Sequence, residues 1–116
     1  MLKMKFFRNE NGVEPVREWL KTELSNDDKW IIGEDIRTLQ INLPAIGMPL
    51  VKPMGNGLFE VRSNISDKRI ARILFCYSPN EIVLLHGFIK KTQKTSKSDI
   101  ALATKRKNNL LKTYRN

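Results

Sequence analysis

Residues 69–90 read RIARILFCYSPNEIVLLHGFIK, and this stretch decides the fold. It contains two runs rich in β-branched and aromatic residues, at 69–77 and 81–90, on either side of the short turn Ser-Pro-Asn. Two such runs joined by a short polar turn predict neighbouring antiparallel strands. The second half of the chain is therefore expected to form a sheet.

A third run precedes this pair. Residues 58–63 (LFEVRS) are again β-rich, and a polar segment, SNISDK, leads on to the next strand, so the three runs predict a meander. Because side chains alternate along a strand, one face should be apolar and consist of Phe59, Val61, Ala71, Ile73, Phe75 and Tyr77. Glu60, Arg62 and Arg72 would project together from the opposite face.

The last strand is expected to add to this charged face. Its alternation places His86, Phe88 and Lys90 on one side and Val83, Leu85 and Ile89 on the other. If the first group joins Arg62 and Arg72, a cationic cluster forms on an open face of the sheet.

Two amphipathic helices are predicted in the first half. Apolar residues recur at three- and four-residue spacing over residues 15–24 and again over 26–43, and Pro44 stops the second helix. Each helix needs a surface on which to bury its apolar stripe, and the apolar face of the sheet supplies one. Trp19 and Trp30 are expected to belong to these buried stripes.

The remaining segments complete the architecture. Residues 3–8 predict a first strand, and residues 45–57, with their prolines and glycines, predict a loop with a short extended piece near Val51. A C-terminal helix is predicted from about Lys97 to Tyr114, because Ser96 and Asp99 form a capping-box pattern at its start.

These elements together predict an α+β fold. It consists of a small antiparallel sheet with a mixed edge, an N-terminal helical hairpin packed on one face and a C-terminal helix. Residues 1–116 are expected to form a single domain, because a chain of this length buries one modest core without metals or cross-links.

The positive charge is concentrated in one half of the chain. The net charge is +9; residues 1–58 carry eight Lys/Arg and eight Asp/Glu, whereas residues 59–116 carry thirteen and four. This distribution favours an anion-binding face with nucleic acid as the leading partner, although a solvated basic tail would give the same count. The single Cys76, the lack of a secretion signal and the lack of a membrane-spanning run predict a cytoplasmic location.

The residue types favour phosphate chemistry without a metal or cofactor. The chain has one histidine, one cysteine and no close set of carboxylates in its basic half. RNA supplies its own nucleophile, the 2′-hydroxyl, so its cleavage needs only a base, cations at the phosphate and an acid for the departing 5′ oxygen. Arg62 and Arg72 suit the phosphate, because a guanidinium stays charged and binds it in a bidentate fork. The candidates for proton transfer are Glu60, His86, Lys90 and Lys91.

Each of these residues also has a structural explanation. Glu60 is equally suited to pair with Arg62 or Arg72, and His86 to serve as an ordinary strand histidine. Two arginines at half-buried strand positions are costly without a partner, which favours a functional role for them. The wider surface expected to contact RNA comprises Arg69, Lys94, Lys97, Lys105 and Arg106.

Three segments resemble a known family. They are LFEVR (58–62), RIARILFCY (69–77) and IVLLHGFIKKTQKTSKSDIALATKR (82–106), which resemble the phage-derived HigB-like branch of the RelE/ParE toxin superfamily. The resemblance implies a RelE-like fold and a type II toxin, a metal-independent endoribonuclease that cleaves messenger RNA, commonly in the ribosomal A site. It also implies three partners: a cognate antitoxin with a HigA-like helix-turn-helix pattern, messenger RNA and the ribosome.

The family's site residues carry over in part. By resemblance, Arg62 and Arg72 match the strand arginines of the family, and Lys90 or Lys91 matches the basic position at the end of the last strand. Many RelE relatives place basic residues where this chain has Leu58 and Glu60, and some use a C-terminal tyrosine that no motif aligns here. The resemblance therefore leaves the general base open, and Glu60 is the residue that we expect in that role.

Two other functions remain open. A ParE-like protein of the same superfamily would inhibit DNA gyrase by binding, and an RNA-binding accessory domain would share the basic half without stopping growth. The segment LHGFIKKTQKT (85–95) favours the nuclease, because it is similar to the HigB-like branch.

Overall fold

The computed structural model describes residues 1–43, 45, 50–90 and 94–115, with the backbone alone for Lys90 and for residues 111–115. Its elements in chain order are β1 (Lys3–Phe6), α1 (Pro15–Glu23), α2 (Asn26–Asn42), β2 (Val51–Gly55), β3 (Leu58–Asn64), a 3₁₀ turn (Ser66–Lys68), β4 (Ile70–Tyr77), β5 (Glu81–Lys90) and α3 (Lys97–Arg115). The predicted α+β fold is confirmed. Within the described ranges, no helix combines the length and apolar character needed to cross a bilayer.

The five strands form one mixed sheet in the order β1-β5-β4-β3-β2. Strands β2 to β5 pair antiparallel in sequence order, and β1 lies parallel to β5 at one edge. The segment predicted as a loop at 45–57 contains β2, which forms the other edge. Its Pro53 is tolerated there because an edge strand does not need every backbone N–H.

The two N-terminal helices cover one face of the sheet, as predicted. The buried residues Val61, Ala71, Ile73, Phe75, Ile82 and Leu84 of that face form one cluster with Val16, Ile32, Ile36 and Leu39 of the helices. Trp19 packs against this cluster and across Gly87 of β5. The prediction that Trp30 is buried is wrong, because it is 68% exposed. It lies two residues before the buried Ile32, and this places it about 200° away around the helix.

The opposite face of the sheet is covered by α3, so the prediction of an open cationic face is wrong. A second cluster on this side joins Phe7, Leu58, Leu74, Val83, Leu85 and Ala103. The sequence predicts Val83 and Leu85 on the side of β5 opposite to His86. In the structure they share the face of His86, and a β-bulge explains the difference. Leu74 pairs with His86 and Phe75 with Leu84, so Leu85 is an extra residue that shifts the alternation of β5.

Candidate active site

The register of the sheet brings the predicted charged residues together. Arg62 on β3 lies directly opposite Arg72 on β4, and Arg72 lies opposite Phe88 on β5. Glu60 comes two residues before Arg62 and therefore falls on the same face. The three charged residues share one face, as strand alternation predicts.

Glu60 lies at the centre of a buried polar network. Arg62 Nε donates to Glu60 Oε1 at 2.8 Å, and Arg72 Nη1 lies 3.6 Å from the same oxygen. The hydroxyl of Thr95 donates to Glu60 Oε2 and accepts from Arg72 Nη1 at 3.2 Å. One carboxyl group is therefore held between two guanidinium groups and a hydroxyl.

The two arginines differ in their access to solvent. The side chains of Glu60 and Arg72 are 0% exposed, whereas that of Arg62 is 16% exposed. Burial lowers the pKa of Arg72, while the opposite charge of Glu60 raises it and the like charge of Arg62 lowers it again. In this arrangement Arg62 is the arginine that reaches solvent, and Arg72 and Glu60 lie beneath it.

A second polar pair lies at the start of α3. His86 Nε2 lies 2.7 Å from Asp99 Oδ1, and both side chains are about one-sixth exposed. Asp99 Oδ2 accepts from the Ser96 hydroxyl at 2.6 Å, and the same hydroxyl accepts from the backbone N–H of Asp99 at 3.2 Å. The predicted capping interaction of Ser96 is therefore present. The His86 ring also stacks on Phe88, with 5.2 Å between ring centroids.

The segment that leads into α3 joins the two polar groups. Thr95 contacts Glu60 and Arg72, and the next residue, Ser96, contacts Asp99. Neither Thr95 nor Asp99 was predicted as a site residue. The capping-box pattern places Asp99 at a helix start, but its contact with His86 depends on how α3 docks on the sheet.

The two candidate lysines are described only in part. Lys90 is the last residue of β5, and its backbone pairs with that of Ile70. Lys91 lies outside the described residues. Their proposed roles stay predictions.

The cations expected to contact RNA lie in different environments. The exposed cations are Lys94, which precedes α3, and Lys97 and Lys105, which lie on that helix. Arg69 donates to Asp28 Oδ2 at 3.0 Å and so ties the turn before β4 to α2. Arg106 donates to the backbone oxygen of Leu85 at 2.7 Å, and burial lowers the pKa of this arginine.

Comparison with known proteins gives one family match. Residues 18–108 match the model of a family described as phage derived protein Gp49-like (DUF891). The match covers more than half of the chain and includes Glu60, Arg62, Arg72, His86 and Asp99. No curated protein matches the chain.

Proposed function

The chain belongs to the Gp49-like family of phage-derived proteins, a RelE-like toxin family, and from this premise we propose that it is the toxin of a type II toxin-antitoxin pair. Its proposed activity is the metal-independent cleavage of messenger RNA. The HigB-like branch suggested by the segment at 82–106 is part of this proposal.

One observation carries the proposal. A partly exposed arginine, Arg62, and a histidine-carboxylate pair, His86 and Asp99, lie on the same face of the sheet. They come from strands two positions apart, a lateral separation of about 10 Å between backbones. The register also offsets His86 by two residues along the strands from the position opposite Arg62. A phosphodiester that lies across β4 is proposed to meet the cation and the proton-transfer group together.

The chemistry assigns a different task to each group. In the proposed tautomer, His86 donates its Nε2 proton to Asp99, and no described residue hydrogen-bonds its Nδ1. Nδ1 takes the proton of the 2′-hydroxyl, whose oxygen then attacks the phosphorus and displaces the 5′ oxygen. Arg62 stabilises the charge that builds on the phosphate. The products are a 2′,3′-cyclic phosphate and a 5′-hydroxyl.

The departing 5′ oxygen needs a proton, and Lys90 or Lys91 is proposed to supply it or to stabilise the charge. The ammonium group gives its proton to the oxygen as the P–O bond breaks. Both lysines are at or beyond the end of β5, the strand that carries His86. With Lys90 in this role, the proposed acid and base belong to one strand.

Glu60 and Arg72 have a supporting role in the proposed mechanism. Glu60 accepts from Arg62 Nε, and Arg72 and Thr95 hold Glu60 in turn. A buried, fully bonded carboxyl is less suited to take a proton from RNA than the more exposed His86. We therefore propose His86 as the base in place of Glu60, with Glu60 and Arg72 as positioning residues for Arg62.

The test compares variants in growth and in RNA cleavage. Arg62→Ala and His86→Ala should each reduce cleavage of a translated message by on the order of 100-fold and relieve growth inhibition. Arg37→Ala is the matched control, because Arg37 is exposed on α2, away from the site. If Arg62→Ala and His86→Ala cleave as well as the wild type, the assignment is wrong.

The same experiment separates the other two functions. Primer extension on cellular messages should show new codon-associated ends for a nuclease. A ParE-like gyrase inhibitor would stop growth without such ends, and an accessory RNA-binding domain would leave growth unaffected. Ribosome dependence is tested by comparing naked messenger RNA with the same message under translation, and we expect cleavage only in the second case.

A further inference from the structure

A groove of about 780 Å³ lies between the end of β1, the loop that follows it and α3. None of the residues of the proposed catalytic set lines it, whereas Lys105 and Arg106 belong to the surface that the sequence predicts to contact RNA. Four cations line the groove: Lys5, Arg8, Lys105 and Arg106. The groove is therefore a second cationic feature of the surface, separate from the site on β3 and β5.

The loop wall of the groove is preformed. Asn9 Oδ1 accepts from the backbone N–H of Asn11 at 2.9 Å and of Val13 at 3.0 Å. The backbone N–H of Asn9 also donates to the oxygen of Val13 at 2.8 Å. These bonds close a compact turn, as asparagine side chains commonly do. Arg8 therefore enters the groove from an ordered segment.

The groove also has an apolar component. Phe7 and Val83 line it and belong to the buried cluster beneath α3. Leu102 and Leu110 line it from α3 and are half-buried. They lie eight residues apart, about 12 Å along the helix, with the cationic residues between them. One flank of α3 thus presents two cations between two leucines.

This combination fits a polypeptide better than an RNA strand. A single-stranded RNA site usually offers exposed aromatic faces on which bases stack. Here the guanidinium of Arg106 lies 5.9 Å from the centroid of the Phe7 ring and covers it, and Phe6 packs against the cluster of the opposite sheet face. Glu10, which also lines the groove, repels any anion beside it, so it favours a ligand that can place an apolar group there over a uniform polyanion.

We propose that this groove binds an acidic, amphipathic segment of a partner protein. Carboxylates of that segment pair with Arg8 and Lys105, and its apolar side chains contact Leu102 and Leu110. The volume suffices for a few side chains, since it falls within the range of ordinary ligand sites. The inference rests on the proposed function only in one respect, namely that this partner is the antitoxin.

The test measures binding of two probes to the full chain by fluorescence anisotropy. One probe is a labelled synthetic peptide of alternating leucine and glutamate pairs, and the other is a short single-stranded polyuridine RNA. Arg8→Glu and Leu102→Glu should each weaken binding of the peptide by about tenfold or more. Arg37→Glu and Ile41→Glu make the same chemical changes on the exposed side of α2 and should leave it within about twofold.

Three results would overturn the proposal. They are no binding of the peptide to the wild type, an equal loss in the control variants, or a loss of RNA binding in Arg8→Glu with peptide binding retained. Arg8 lies in a surface loop, so its variant decides the question if Leu102→Glu does not fold. The peptide assay contains no RNA, so it remains informative even if the chain proves unable to cleave RNA.

Discussion

His86 Nε2 lies 2.7 Å from Asp99 Oδ1, although thirteen residues separate the two along the chain. The contact joins β5 to the first turn of α3, and Asp99 is itself held by the hydroxyl of Ser96. A carboxylate that accepts from one ring nitrogen sets the orientation and tautomer of the imidazole. We expect this pair to determine how well His86 serves as a base.

The first prediction concerns Asp99→Asn. The amide keeps the size of the side chain but no longer stabilises the positive charge that His86 acquires when it takes a proton. Cleavage should slow by on the order of 100-fold in kcat, with little change in KM, because the loss is confined to the proton-transfer step. Single-turnover cleavage of a translated message measures this effect.

Asp27→Asn is the matched control for Asp99→Asn. Asp27 lies in the first turn of α2, so the substitution removes the same charge from a helix start but touches no site residue. It should leave cleavage unchanged. An Asp99→Asn protein that cleaves at the wild-type rate would exclude the orienting role.

The sequence predicts those parts of the site that depend on strand alternation. The period of two places Glu60, Arg62 and Arg72 on one face, and the sheet register confirms that placement. Thr95 and Asp99 could not be found in this way, because their contacts arise only when α3 docks on the sheet. Local patterns carry no information on where a helix docks.

Two further differences between the sequence-based predictions and the structure have local causes. The extra residue at Leu85 cannot be seen in the sequence, since a bulge changes the alternation without changing the composition of the strand. Trp30 looks like a core residue by type, yet the apolar positions Ile32, Ile36 and Leu39 direct the opposite side of α2 to the sheet. Helical phase, rather than residue type, decides its exposure.

The second prediction concerns the buried pair of Glu60 and Arg72. Glu60→Leu leaves the guanidinium of Arg72 in the interior without its carboxyl partner and should lower the free energy of unfolding by about 3–5 kcal/mol. The double variant Glu60→Leu/Arg72→Leu removes both charges and should recover much of that loss. Urea unfolding of Glu60→Leu, Arg72→Leu and the double variant measures the coupling. If the two single losses in the free energy of unfolding simply add up in the double variant, the pair is not coupled.

The third prediction concerns the dependence of stability on pH through Asp28. The pKa of Asp28 is lowered from its ordinary value of 3.8, and the largest cause is the hydrogen bond from the backbone N–H of Ser66. Burial raises the pKa, but this effect is outweighed. The hydroxyls of Ser66 and Ser25 and the positive charge of Arg69 lower it further. A lowered pKa means that the folded state favours the charged carboxylate. The resulting stability is present above pH 3.8 and is lost as the pH falls through the lower pKa of the folded state.

Asp28→Asn should therefore be less stable than the wild type at neutral pH, and its stability should fall less steeply below pH 3.8. Thermal unfolding followed by circular dichroism across this range measures both effects. The neighbouring Asp27→Asn, which alters an exposed carboxylate, should keep the wild-type profile. Parallel profiles for Asp28→Asn and the wild type would contradict the assignment.

The fourth prediction concerns the close packing of Gly87 against Trp19. A Cβ at Gly87 would lie 2.6 Å from Cζ3 of the Trp19 ring, so Gly87→Ala should force the ring to shift and lower the free energy of unfolding by about 1–3 kcal/mol. Gly33→Ala is the control, because a Cβ there meets nothing within 4 Å on exposed α2, and it should stabilise the protein by about 0.5–1 kcal/mol. Adding Trp19→Leu to Gly87→Ala should relieve part of the overlap, so the double variant should lose less stability than the sum of the two single variants. If the changes in the free energy of unfolding in urea are additive, the contact is ruled out.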